Sequence, residues 1–101
     1  MIQIPQKEIE ALCKKWKIDN LSLFGSALRK DFSEKSDVDL LFTFSKKVRY
    51  GFFELSKIQM ELEKLLGRNV DLVSKKGIEA SRNHLRREEI LKSARVIYEE
   101  R

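Results

Sequence analysis

Residues 38–44, VDLLFTF, constrain this chain more than any other stretch. Val38, Leu40, Phe42 and Phe44 fall on one face of an extended segment, and Asp37, Asp39, Leu41 and Thr43 fall on the other. A two-residue period of this kind belongs to a strand that turns one side to a core. A strand needs partners, so the rest of the chain must supply a sheet and something to cover it.

The remaining patterns do so. Ile9, Leu12, Cys13 and Trp16 stand at i, i+3, i+4 and i+7, which predicts a helix over about residues 5–17 with Pro5 in its first turn. Cys13 lies on the apolar face and reads as a small buried hydrophobe. Residues 20–25 predict a short strand that stops at Gly25-Ser26, and residues 27–31 a polar helical turn. After a basic loop over 46–50, Leu55, Ile58, Leu62, Leu65 and Leu66 form the stripe of a helix over 52–66, and Gly67 is placed to end it. Phe52, Phe53 and Trp16 are expected in the core or against a partner, and Tyr50 is a possible platform for a base. Residues 69–73 predict a third strand, with Val70 and Leu72 facing one way and Asp71 and Val73 the other. A helix over 78–92 is expected to bury Leu85, Ile90 and Leu91, and RVIYEE reads as a fourth strand. The order gives an α/β (α+β) fold, a small mixed sheet of three or four strands flanked by helices.

Composition narrows the class. With 101 residues the chain is expected to form one domain over 1–101. No apolar run approaches the roughly 20 residues of a membrane span, and the start lacks a cationic segment followed by an apolar one. A lone cysteine forms no internal disulfide, which fits a reducing, cytoplasmic setting. The formal net charge is +5, and residues 75–95 hold seven basic against three acidic side chains, a stretch expected to meet an acidic partner. His84 has no cysteine or second histidine to form a zinc site with, and no Walker A, GxSxG or GxGxxG pattern occurs.

The chemistry concentrates in acids. Asp37 and Asp39, two apart on a strand, point the same way about 6.5 Å apart along the backbone. Like charges on one face destabilise unless compensated, and Mg²⁺ compensates them, since it takes oxygen ligands from one or two carboxylates plus substrate phosphates. Two such ions about 3.5–4 Å apart clamp the attacking and leaving oxygens of an in-line displacement. Asp71 adds a third strand-borne acid, which converges on the same face if the second and third strands are neighbours. Gly25 permits close approach of the backbone to a phosphate, while Ser26 either caps the following turn or donates its hydroxyl to a phosphate oxygen. Arg29 is one turn further on and offers a charged donor. Among Arg29, Lys30 and Lys35 the spacing does not choose the cation that supports a leaving group.

Gly-Ser, ten intervening residues and then Asp-x-Asp, GSALRKDFSEKSDVDLLF, resembles the signature of the DNA polymerase β-like nucleotidyltransferase superfamily. The short chain, the acid in NVDLV and the ending LRREEILKSARVIYEE are similar to its minimal nucleotidyltransferase (MNT) branch. The resemblance implies a nucleotidyltransferase-like fold in which Gly25 and Ser26 hold a triphosphate, Arg29 assists, Asp37 and Asp39 ligate two Mg²⁺ ions, and Asp71 ligates the catalytic ion and helps deprotonate the attacking hydroxyl. It departs at Lys30, where the family commonly carries glycine. It further implies an antitoxin that transfers AMP from ATP to a tyrosine hydroxyl of a HEPN-type ribonuclease toxin. Direct nucleic-acid binding is not expected. A protein of this size leaves no room for a domain that holds the acceptor, so the partner is expected to supply it. The alternative is a non-catalytic antitoxin that masks its partner sterically. Three acids on one face favour the enzyme, since a pure binder has no use for them.

Overall fold

The structure is a computed structural model that describes residues 4–25 and 37–100. The elements follow the order α1 (Gln6–Trp16), β1 (Ile18–Phe24), β2 (Val38–Phe44), α2 (Phe52–Leu66), β3 (Val70–Ser74), α3 (Lys75–Glu79), α4 (His84–Ser93) and β4 (Arg95–Glu99). The strands form one mixed sheet in the order β3-β2-β1-β4. β1 runs antiparallel to both β2 and β4, and β3 runs parallel to β2. α2 makes the crossover that a parallel pair requires.

The main core lies on one side of the sheet. Leu21, Leu23, Val38, Leu40 and Val70 pack there with Ile9, Leu12 and Cys13 of α1 and Ile58 and Leu62 of α2. Both helices bury the stripes that their periodicity marks. α2 ends where expected: Gly67 adopts φ 65° and donates its N–H to the carbonyl of Glu63 at 2.8 Å. Burial pushes the Cys13 thiol up to about 12, which keeps it neutral.

The other side of the sheet is also covered. Leu41 shares a face with Asp39, yet it is buried in a second, smaller core with Phe24 and Ile90, flanked by Val73, Ile78 and Leu91. α4 therefore lies over part of the acid-bearing face.

Three expectations are corrected. The helix over 78–92 is two helices, because Ser81 and Asn83 interrupt it. The Asn83 side chain accepts the N–H of Arg86 at 3.1 Å and starts α4, and the Ser81 hydroxyl accepts the N–H of Asn83 at 3.2 Å. Leu85, expected in the core, stands on the outer face of α4 and is 82% exposed. Phe52 and Phe53 are exposed as well, which overturns the core half of their expectation: Phe53 falls off the Leu55–Ile58–Leu62 stripe of α2, and Phe52 is the first residue of the helix. Tyr50 takes the aromatic place instead. Its ring meets Phe44 edge-on at 4.9 Å and Trp16 at 5.8 Å. Trp16 is half-buried and donates its indole N–H to Glu61 at 2.6 Å. Among the described residues, no helix is long and apolar enough to cross a membrane.

Candidate active site

β2 and β3 run parallel with Asp39 opposite Asp71. The adjacency that the strand patterns alone left open is present, and it brings two carboxylates into register on neighbouring strands. The register is held at its start. Val38 donates its N–H to the carbonyl of Asn69 at 2.8 Å. One residue on, Val70 donates its N–H to Glu63 Oε2 at 3.0 Å. Glu63 stands near the end of α2, so the helix sets the height at which β3, and Asp71 with it, enters the sheet.

Asp39 is half-buried and Asp71 exposed. Asp37 stands one residue ahead of β2 and is exposed. By strand alternation it shares the Asp39 face.

β1 completes the row from the other side. Phe24 pairs with Asp39 across the antiparallel ladder, and Gly25 follows immediately. Gly25 has φ 67°, in the left-handed region. A methyl group built on its Cα falls 2.5 Å from Asp39 Oδ2 and 3.4 Å from Asp39 Cγ. The backbone angle favours glycine, and a Cβ here would in addition displace the Asp39 carboxylate from the position it holds. Glycine here is thus tied to the acid as well as to the turn.

Ser26 and Arg29 lie outside the described residues, as do the helical turn over 27–31, Lys30 and Lys35. Among the described residues, no three potential ligands are gathered closely enough to hold a metal ion by themselves. The donor set is nonetheless chemically suited to magnesium. It consists of carboxylate oxygens only, two of them in register, and magnesium takes one or two carboxylates and leaves its other positions to water and substrate phosphates. A closed cage of protein ligands is therefore not required.

Sequence reasoning missed Glu63. Its only signal is a carboxylate one turn before the end of α2, and nothing in the spacing announces that it reaches the first amide of β3.

Comparison with known proteins gives the family and the fold. Residues 6–97 match the family model of the nucleotidyltransferase domain. A protein of Methanocaldococcus jannaschii, described as a "putative protein adenylyltransferase", is 37% identical over 75% of this chain and 76% of its own. A solved structure described as a "putative minimal nucleotidyltransferase" superposes with a TM-score of 0.67 at 31% identity, over 88% of this chain and 85% of that one. A toxin–antitoxin complex solved with AMP-PNP contains a chain of the same fold, with a TM-score of 0.70 at 17% identity over 95% of this chain and 74% of that chain.

Proposed function

Because this chain belongs to the nucleotidyltransferase domain family, we propose that it is the enzyme that moves AMP from ATP, with magnesium, to a tyrosine hydroxyl of a HEPN-type ribonuclease toxin, and that it thereby acts as an antitoxin. The observation that carries this reading is the row across three strands: Gly25 closed against the Asp39 carboxylate, and Asp39 in register with Asp71. A scaffold that only masks a partner has no need to keep a methyl group away from one carboxylate. The M. jannaschii relative is described as acting on protein, and the structural neighbour comes from a toxin–antitoxin pair with an ATP analogue, which supports the choice of acceptor. The proposal takes residues 1–101 as one minimal domain working in the cytoplasm.

The roles proposed are those that the resemblance to the nucleotidyltransferase family implies. Asp37 and Asp39 would hold two magnesium ions, and Asp71 would share the catalytic one. Bound there, magnesium would neutralise phosphate charge and polarise the phosphorus under attack. Gly25 and Ser26 would seat the triphosphate by backbone and hydroxyl donors, with Arg29 as a charged donor. Asp71 accepts the hydroxyl proton as the acceptor oxygen bonds to the α-phosphorus. The bond from that phosphorus to the bridging oxygen breaks, and pyrophosphate leaves. The chain's contribution is orientation and charge placement, which dominate phosphoryl-type transfer.

The test is intact-mass spectrometry of the partner that co-purifies with this chain, before and after ATP and magnesium, with Asp37→Asn and Asp39→Asn as controls. The expected result is an AMP-sized gain on the partner that both variants lose while remaining folded. A stable complex that gains no mass would replace this reading with steric masking.

A further inference from the structure

β2 and β3 are parallel neighbours whose connections leave the sheet on opposite sides. Beyond Phe44 the chain runs through residues 45–51 into α2, which packs in the main core. Beyond Ser74 it enters α3, whose Ile78 packs against the second core. Two such departures open a crevice past the carboxyl ends of the strands, the place where open α/β sheets bind ligands. Here the crevice has a volume of about 430 Å³, within the range of about 300–1,000 Å³ of small-molecule sites. It lies at the far end of β2 from the acids: Phe44 stands five residues on from Asp39, about 17 Å along the strand.

The walls say what the crevice holds. Among the described residues, Lys46, Arg49 and Lys76 line it with no aspartate or glutamate, and none of the three makes an ion pair. Cations gathered round one concavity repel each other until an anion enters, and a cleft of one sign concentrates the opposite ion. A carboxylate brings a single negative charge, whereas a phosphate monoester brings nearly two and three strong acceptor oxygens. A guanidinium such as that of Arg49 meets two of those oxygens at once. The half-buried Ser45 and Ser74 line the same walls. The Ser45 hydroxyl accepts the N–H of Lys47 at 3.3 Å and that of Ser74 accepts the N–H of Gly77 at 3.4 Å, which leaves each O–H to donate to a ligand. Phe44 and Tyr50 make the wall aromatic as well, and the edge-on contacts of Tyr50 with Phe44 and Trp16 fix its ring in place.

We propose that this crevice is a second ligand site, which binds a phosphate monoester carrying an aromatic ring, the chemistry of a mononucleotide. The phosphate sits among Lys46, Arg49 and Lys76, and the ring lies against Phe44 and Tyr50. An acidic segment of a partner protein fits less well, because the aromatic wall offers its carboxylates nothing. The inference does not rest on AMP transfer, since the site uses none of the three aspartates.

The experiment uses the full chain in EDTA, which withholds metal from the aspartates. The probes are AMP, ribose 5-phosphate, inorganic phosphate and a hexaglutamate peptide. Amide chemical shifts map the site and calorimetry measures affinity. AMP should shift Ser45, Lys46, Arg49, Tyr50, Ser74 and Lys76 to saturation and leave Asp39 and Asp71 in place. Ribose 5-phosphate and inorganic phosphate should compete at the same amides about tenfold more weakly, for lack of the ring. Lys46→Gln with Arg49→Gln should weaken AMP binding about tenfold. Both side chains are exposed, so an unchanged amide spectrum verifies the fold. Asp39→Asn should leave this binding unchanged. Shifts confined to Asp39 and Asp71, shifts that never saturate, equal binding of AMP and inorganic phosphate, or tighter binding of hexaglutamate than of AMP would each overturn the inference. AMP transfer that fails while this binding persists separates failure of the transfer reading from failure here.

Discussion

Substituting alanine for glycine at two positions tests whether Gly25 serves the acid or only the turn. Gly25 and Gly67 have nearly the same backbone angle, φ 67° and 65°. Alanine in that region is strained by about 1–2 kcal/mol at either site. The surroundings differ. A Cβ at Gly67 meets nothing within 4 Å, whereas one at Gly25 falls 2.5 Å from Asp39 Oδ2. Restoring an ordinary contact of 3.4 Å moves that oxygen by about 0.9 Å, the difference of the two distances. A catalytic group misplaced by about 1 Å costs on the order of 100-fold in rate. Turning the carboxylate off its rotamer adds about 0.5–1.5 kcal/mol of instability. Gly67→Ala should therefore lower the melting temperature and leave AMP transfer per folded molecule intact. Gly25→Ala should melt several degrees lower still, at roughly 4–8 °C per kcal/mol for a domain of this size, and lose about 100-fold in transfer. Thermal melts and single-turnover rates on the two variants decide it. Full activity in Gly25→Ala, or an equal loss in Gly67→Ala, would refute the link between this glycine and Asp39.

Glu63→Ala should cost about 1–2 kcal/mol by leaving the Val70 N–H without its acceptor, and slow transfer by loosening β3, while Glu63→Gln, which still accepts, restores both in melts and rate assays. Cys13 should resist maleimide at pH 8 in the native chain and label on unfolding, because burial holds its thiol near 12; rapid native labelling would contradict the packing. Hydrogen bonds from Lys15 and then Trp16 hold the Glu61 carboxyl below its ordinary 4.5, so the stability it contributes is present above 4.5 and lost as pH falls through the lowered value. The effect is small because the pair is largely solvated. Acid melts of Glu61→Gln should lack that slope. If residues 75–95 meet an acidic partner, complex formation followed by titration calorimetry should weaken steadily with added salt.

What the residue order disclosed, and what it withheld, follows from the range of the forces involved. Alternation in VDLLFTF depends only on neighbours along one strand, so both faces of β2 were legible, and so was the fourth strand. The exposure of Phe53 was legible too, because it falls off the stripe through Leu55, Ile58 and Leu62, whereas Phe52, three residues before Leu55, carries no such signal. The break between α3 and α4 was harder. It rests on side-chain caps at Ser81 and Asn83 that compete with a continuing helix by small free energies. The opposition of Asp39 and Asp71 could be read only on the condition that their strands are neighbours, for it depends on where α2 returns the chain beside β2, and that is decided by Ile58 and Leu62 packing on the sheet and by Glu63 reaching Val70. The closeness of Gly25 to Asp39 is one step further removed, since it needs the β1/β2 register as well. A motif such as Gly-Ser followed by Asp-x-Asp therefore names residue types whose meeting is arranged elsewhere in the chain. Substitutions in α2 that touch none of the three aspartates, Glu63→Ala foremost, should disturb the candidate site through the register of β3.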